Sequence, residues 1–246
     1  MRILAYVLLL TALLGSGWAA WFFFGHPKPE ENPEYAAFLR QVAELEPKAA
    51  AGNPDAMVDL GWLLAKADSR RPDPARALDL FRAAAAKGSV RGQFAVGWAH
   101  AHGRGTARDL RAAAEWYRVA ATAGNSADAQ FALGEMYFNG LGVANDYDRA
   151  IEMYRKAALG GHPAARYLMG VMYEEGWGVK RDPVAAYMWL TLAAAEEARV
   201  RGHNASFDPR ARREKLKLTL NTTQINLAER RAREMQGAAA PVGAGR

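Results

Sequence analysis

Cysteine is missing from all 246 residues. Its absence excludes disulfides, thiolate nucleophiles, cysteine-based metal sites and a lipidated N-terminal cysteine. It leaves the compartment open, because a thiol-free chain suits reducing and oxidising surroundings alike. Strand-forming runs of Val, Ile and Thr are scarce while alanine is abundant. Both facts favour helices, since alanine is the best helix former. No glycine-rich loop follows an extended segment, so no phosphate-binding loop is expected. No nucleophile stands in a pattern with a general base. The chain is therefore expected to be no enzyme, to need no cofactor and to take no small-molecule substrate.

Charge of one sign is lacking over most of the chain, in the sense that acids and bases balance there. Residues 199–236 hold ten Lys and Arg against four acids, so the whole formal excess of +6 lies in this one C-terminal region. Within it Arg210, Arg212, Arg213, Lys215 and Lys217 stand closest together. Such a cluster can meet an acidic protein partner or anionic lipid, or form a solvated helical face. A nucleic acid is not expected, because Phe207 is the one aromatic neighbour of these bases.

The first 25 residues carry one charged side chain, Arg2. As a helix the run from Ile3 to Gly25 is about 35 Å long, enough to cross a bilayer with tilt. A cleaved signal peptide is the rival reading, with small residues between Gly15 and Ala20. Trp21-Phe22-Phe23-Phe24 then prolongs the apolar run and reads as an interfacial aromatic belt. An uncleaved, single-pass signal anchor over 1–25 is the preferred expectation. A short positive tail before the run puts the N-terminus in the cytoplasm and the remainder in the periplasm. Lys and Arg counts on the two sides are close to a tie, so the opposite orientation stays open. Residues 26–52 read as a Pro-rich linker and a leading helix.

Beyond this the chain repeats. Gly61, Gly97, Gly134 and Gly170 recur at steps of 36 or 37 residues, as do Ala84, Ala120, Ala157 and Ala193. A Gly-x-Gly recurs with them at Gly103/Gly105, Gly140/Gly142 and Gly176/Gly178. A period of this length is that of a helix–turn–helix solenoid unit. In the unit at 125–161, Ala129, Ala132, Leu133, Met136 and Tyr137 form one helical stripe. Tyr147, Ala150, Ile151, Tyr154, Ala157 and Ala158 form a second. Gly140 closes the first helix in the left-handed conformation, and Asp146 caps the second. Asp73-Pro74, Asp182-Pro183, Asn53-Pro54 and His162-Pro163 mark other helix starts. Four mid-helix glycines in register imply a neighbour too close for a side chain.

The units AQFALGEMYFNGLGVANDYDRAIEMYRKAALGG, AARYLMGVMYEEGWGVKRDPVAAYMWLTLAAA and GQFAVGWAHAHGRGTARDLRAAAEWYRVAATAG resemble the Sel-one-like repeat (SLR) family, a relative of the tetratricopeptide repeats. A fourth unit, AMVDLGWLLAKADSRRPDPARALDLFRAAAAKG, lacks the Gly-x-Gly, as befits a terminal repeat. The resemblance implies an all-α fold: an α/α solenoid of four repeats over 53–198. Basic capping helices would follow at 199–236 and a flexible tail at 237–246, with the transmembrane helix in front. Asp208-Pro209 and Asn221-Thr222-Thr223 are the expected starts of the capping helices, with Ile225, Ala228, Ala232 and Met235 on one face. The resemblance also implies a scaffold or adaptor for protein partners, including integral membrane complexes. A cell-envelope enzyme and a soluble exported repeat protein are the alternatives.

Candidate contacts lie on the first helices, which can line the partner-binding face of a solenoid. Phe94, Phe131 and Tyr167 share one position and read as inter-repeat core. Trp62 and Trp98 share another, held in the next repeat by Glu135, and read equally as core or binding face. Gln93, Gln130 and Arg166 share a third and are expected to be exposed. His100-x-His102 has the spacing of a metal pair but no third ligand nearby, so packing and a solvent-facing histidine are expected. Glu174-Glu175 reads as a solvated helix end, and Asn204-Ala205-Ser206 as a chance sequon.

Overall fold

The structure is a computed structural model that describes residues 33–65 and 72–239. The expected anchor over 1–25 lies outside the described residues. Among the described residues no helix is long and apolar enough to cross a membrane, and there are twelve helices and no strands. A leading helix α1 spans Pro33–Ala50. Four antiparallel pairs follow: α2 (Pro54–Ala65) with α3 (Pro74–Ala86), α4 (Val90–His102) with α5 (Leu110–Thr122), α6 (Ala127–Asn139) with α7 (Tyr147–Leu159), and α8 (Pro163–Glu175) with α9 (Pro183–Ala194). Three closing helices are α10 (Glu197–His203), α11 (Pro209–Lys217) and α12 (Thr222–Ala239).

The helix starts are written in the caps. Each second helix begins on an aspartate whose carboxylate accepts backbone N–H groups of the first turn: Asp73, Asp109, Asp146 and Asp182. First helices use Asn53, Ser89, Ser126 and His162 instead. The histidine does this with Nδ1, which accepts from Ala165 N at 3.2 Å. These groups satisfy donors that a helix N-terminus leaves unpaired. Gly103, Gly140 and Gly176 end their helices with φ of 65°, 67° and 80°.

The four mid-helix glycines do face a neighbour, and it is a ring or branched chain of the same repeat. A Cβ on Gly61, Gly97, Gly134 or Gly170 would lie 2.4–2.9 Å from Phe81, Tyr117, Tyr154 or Leu190 respectively. Within each pair the second helix thus lays a large side chain across the first helix's backbone. The second glycine of each Gly-x-Gly works between repeats. A Cβ on Gly105 would meet Pro74 O at 2.1 Å, and one on Gly142 would meet Leu110 O at 2.3 Å. Each turn is therefore pressed onto the start of the preceding repeat's second helix.

Two apolar clusters result. One joins α1 to α4 and centres on Leu60, Leu78 and Phe81. The other runs from α5 to the closing helices, through Met169, Leu190 and Leu192 to Val200, Leu216, Ala228 and Ala232. Burial of Ala228 and Ala232, with Ile225 and Met235 packed beside them, is the stripe expected for α12. Asp208 caps α11, and Asn221 with Gln224 forms a reciprocal capping box at α12. Helices α11 and α12 pack on α9, while α10 turns back onto α8.

Candidate functional site

The first helices of repeats 2 and 3 border a groove of about 750 Å³, lined by Phe94, Trp98, His102, Leu110, Phe131 and Glu135, among others. Helical spacing puts Phe94, Trp98 and His102 on one side of α4. Trp98 is half-buried, meets Trp62 edge-on at 4.8 Å and carries the His102 ring at 4.8 Å. Trp62 leans on Phe81 at 5.0 Å, so it packs behind Trp98 on the first apolar cluster rather than lining the groove. Glu135 occupies the equivalent place in α6 and accepts a hydrogen bond from Tyr154 OH at 2.5 Å. Burial, helped by that carboxylate, raises the Tyr154 hydroxyl well above the ordinary tyrosine range.

Phe131 and Tyr167 are buried, as core residues should be, but what covers them was not foreseen. His162 stacks on Phe131 at 4.1 Å and His203 meets it edge-on at 4.7 Å. Phe207 stacks on Tyr167 at 4.5 Å. The segment after α9 therefore folds back over the first helices of repeats 3 and 4. His162 is held neutral, its pKa lowered to about 4, by burial first and then by His203 and Arg199. Its Nε2 lies 3.8 Å from Asp128 Oδ1 at the rim. His102 sits at the groove edge, with Nδ1 2.9 Å from Trp98 O. No group of three or more potential metal ligands occurs among the described residues.

The expectation of exposure fails for the third first-helix position. Gln130 is 1% exposed and Arg166 9% exposed, and Gln93 is half-buried. Gln130 Nε2 donates to Ala121 O at 3.2 Å, and Arg166 Nε donates to Ala158 O at 3.3 Å. These two carbonyls are repeat equivalents at the ends of the preceding second helices. Such carbonyls have no partner within their own helix; Ala158 O also accepts from the Gly161 N–H, and a long polar side chain buried from the next repeat adds a bond to each. Arg166 also pairs with Glu196 at 2.9 Å, which fastens the entry to α10. Burial lowers its pKa from the usual arginine value. Gln130 and Arg166 thus join repeats and are buried away from a partner.

The basic cluster is likewise half spent inside the molecule. Arg212 grips Glu174 and Glu175 together, and Arg210 pairs with Glu197 at 2.7 Å. Glu174 and Glu175 are thus not a solvated end; one guanidinium fork spans both carboxylates and ties α11 to α8. Arg213 pairs with Glu214, and Lys217 lies 3.9 Å from the same acid. Lys215 is exposed. Asn204 Oδ1 accepts from Ser206 N and Oγ, an Asx turn rather than an open sequon loop.

The repeats, the paired helices and the caps define a class, the α/α solenoids of helix–turn–helix units. The particular family follows from a match of four consecutive units to the Sel1 repeat model, at residues 54–89, 90–125, 127–162 and 163–197. The chain belongs to the Sel1 repeat family, whose members generally mediate protein–protein interaction. The chain is also similar to solved structures. A Sel1 repeat protein from Oxalobacter formigenes superimposes with a TM-score of 0.59 at 27% identity, covering 77% of this chain and 59% of that one. A protective antigen of uropathogenic Escherichia coli with an SLR fold gives 0.49 at 24% identity, over 90% and 52% of the two chains. A Sel1 repeat protein from Klebsiella pneumoniae gives 0.47 at 22% identity, over 85% and 90%. The chain spans little more than half the length of the first two. No curated protein gives a significant match.

Proposed function

We propose that this protein is a membrane-anchored adaptor that holds a protein partner in the groove between α4 and α6, serving a membrane or envelope complex. The observation that carries this reading is the uneven cover of the first-helix face. Over repeats 3 and 4 the chain's own His203 and Phe207 lie on the aromatic positions. Over repeat 2 the groove is open and lined by Trp98, Phe94 and Leu110. An open aromatic wall beside a carboxylate is the kind of surface that anchors a partner side chain. Anchoring by residues 3–25 and a periplasmic location are supported by the unbroken apolar run, its aromatic end and the short positive start.

The experiment uses the full chain in its own membranes, with a photo-crosslinking amino acid placed at one position at a time. Leu141 is 39% exposed and borders the groove; Leu218 is 87% exposed at the end of α11. A partner adduct is expected from position 141, lost on Trp98→Ala, and not from position 218. An adduct from 218 alone, or one from 141 indifferent to Trp98→Ala, refutes the groove as the binding face. A reporter fused to the C-terminus reads the orientation; activity restricted to cytoplasmic reporters refutes the periplasmic assignment.

A further inference from the structure

We infer that the open face of Phe94 is the seat for one aromatic side chain of the partner, presented on a peptide segment with a basic residue next to it. This rests on the adaptor reading and specifies what the groove takes. Phe94, Phe131 and Tyr167 are repeat equivalents, and Phe94 lies 5.5 Å from Tyr117 of its own repeat, as Phe131 lies 5.7 Å from Tyr154 of its own. On their other side they differ. Phe131 has His162 parallel to its face at an interplanar angle of 13°. Tyr167 has Phe207 at 26°. Among the described residues no ring lies on Phe94 other than Tyr117.

The difference has a cause in the chain. His162 reaches Phe131 because it caps α8, the first helix of the next repeat. The cap in the matching place beside Phe94 is Ser126, which has no ring. The returning segment does not fill the gap either, since its rings stop at Phe131. The groove opens where the third ring of the row is missing. A ring from outside would complete a pattern that the molecule completes for itself in the other two places, and stacked rings are favoured beyond their buried area.

Charge selects the neighbour of that ring. Asp128 stands at the rim and Glu135 within the groove. Glu135 uses Oε1 for Tyr154, and no partner is found for Oε2 among the described residues. Arg108 is the cation in the lining, and its Nε is engaged by Ala101 O at 3.1 Å. His162, next to Asp128, is neutral near pH 7. Counted over Asp, Glu, Lys and Arg, the lining holds two carboxylates, Asp128 and Glu135, against the one Arg108 guanidinium, a net negative charge on a protein whose formal charge is +6, and a Lys or Arg beside the incoming ring answers it.

The test titrates three capped dipeptides, N-acetyl-Trp-Arg-amide, N-acetyl-Leu-Arg-amide and N-acetyl-Trp-Glu-amide, into the full chain in detergent micelles. The methyl resonance of Met136, which lines the groove, is the readout. Saturable binding of the Trp-Arg probe is expected, weakened about five- to tenfold by either replacement, the size of one stacking or one charge contact. Ser126→His supplies the missing ring from within while keeping the cap, as His162 does. It should leave the melting midpoint unchanged and weaken the Trp-Arg probe about tenfold. Equal binding of the Leu-Arg probe, or no saturable shift with any probe, overturns the inference without recourse to a variant. If the probes fail while the crosslink at 141 still depends on Trp98, the adaptor reading stands and the seat is wrong. If the probes bind as expected but no crosslink forms there, the adaptor reading fails instead.

Discussion

Replacing Gly134 by alanine sets two effects of known size against each other. In the middle of α6 alanine is favoured over glycine by about 1 kcal/mol. The new methyl, however, would lie 2.9 Å from both Cδ1 and Cε1 of Tyr154 and 3.4 Å from Ala150 O. Ordinary carbon–carbon contact is about 3.5–4.0 Å, so the ring must retreat by more than half an ångström. It is poorly placed to do so: Tyr154 is buried, faces Phe131 and is tied by its hydroxyl to Glu135. Overpacking of this kind costs about 1–3 kcal/mol, so the net expectation is a loss of about 1 kcal/mol. Gly202 in α10 is the control, because a Cβ there meets nothing within 4 Å. The same substitution at Gly202 should stabilise, by up to about 1 kcal/mol. Urea denaturation of the full chain followed by circular dichroism measures both variants. If Gly134→Ala stabilises as much as Gly202→Ala, the ring has slack, and the account of the four mid-helix glycines is wrong.

Two further outcomes are expected. His162 titrates at about 4 in the fold and near 6.5 when unfolded, so the unfolded chain binds the extra proton between those values. Its contribution is complete above about pH 6.5 and falls away as the pH drops toward 4; at pH 5 the loss is about 2 kcal/mol. His162→Ser keeps a cap of the kind Ser126 provides and removes the titration, so its midpoint should fall less between pH 7 and 5 than the wild type's; parallel curves refute the assignment. Arg212→Gln releases Glu174 and Glu175 from their shared cation. It should raise hydrogen exchange over 209–239 about fivefold and leave 54–125 alone, whereas Lys215→Gln with Lys217→Gln should change neither region.

The repeat, its register and its helix starts were legible because each depends on local chemistry. Aspartate before a first turn and glycine after a last one act within a few residues. The mid-helix glycines announced a close approach, although only the structure identifies Phe81, Tyr117, Tyr154 and Leu190 as the groups that approach. The polar first-helix positions misled for a definite reason. Periodicity assigns Gln130 and Arg166 to the water side of an isolated helix, yet stacking buries the carbonyl ends of the preceding helices, and these side chains are drawn in to meet them. The candidate site was half visible. Trp98 and Glu135 were marked by their shared position, but its closure depends on His203 meeting Phe131 and Arg212 meeting Glu174, pairs far apart in the chain with no local signature.

The folded-back segment also governs how such an array can grow. Helix repeats multiply by duplication, and a new unit needs a seat on each side. A unit copied after repeat 4 would have to displace Phe207 from Tyr167 and release Arg212 from Glu174 and Glu175 before it could dock. A unit copied between repeats 2 and 3 meets no such obstacle: each Gly-x-Gly turn already presses on the helix start before it, as Gly142 does on Leu110. It would lengthen the open groove by one place while the closing helices stay locked to the last repeat. The C-terminal end thus works as a fixed stop: the seat that a further repeat would need on repeat 4 is already taken by the chain's own closing helices.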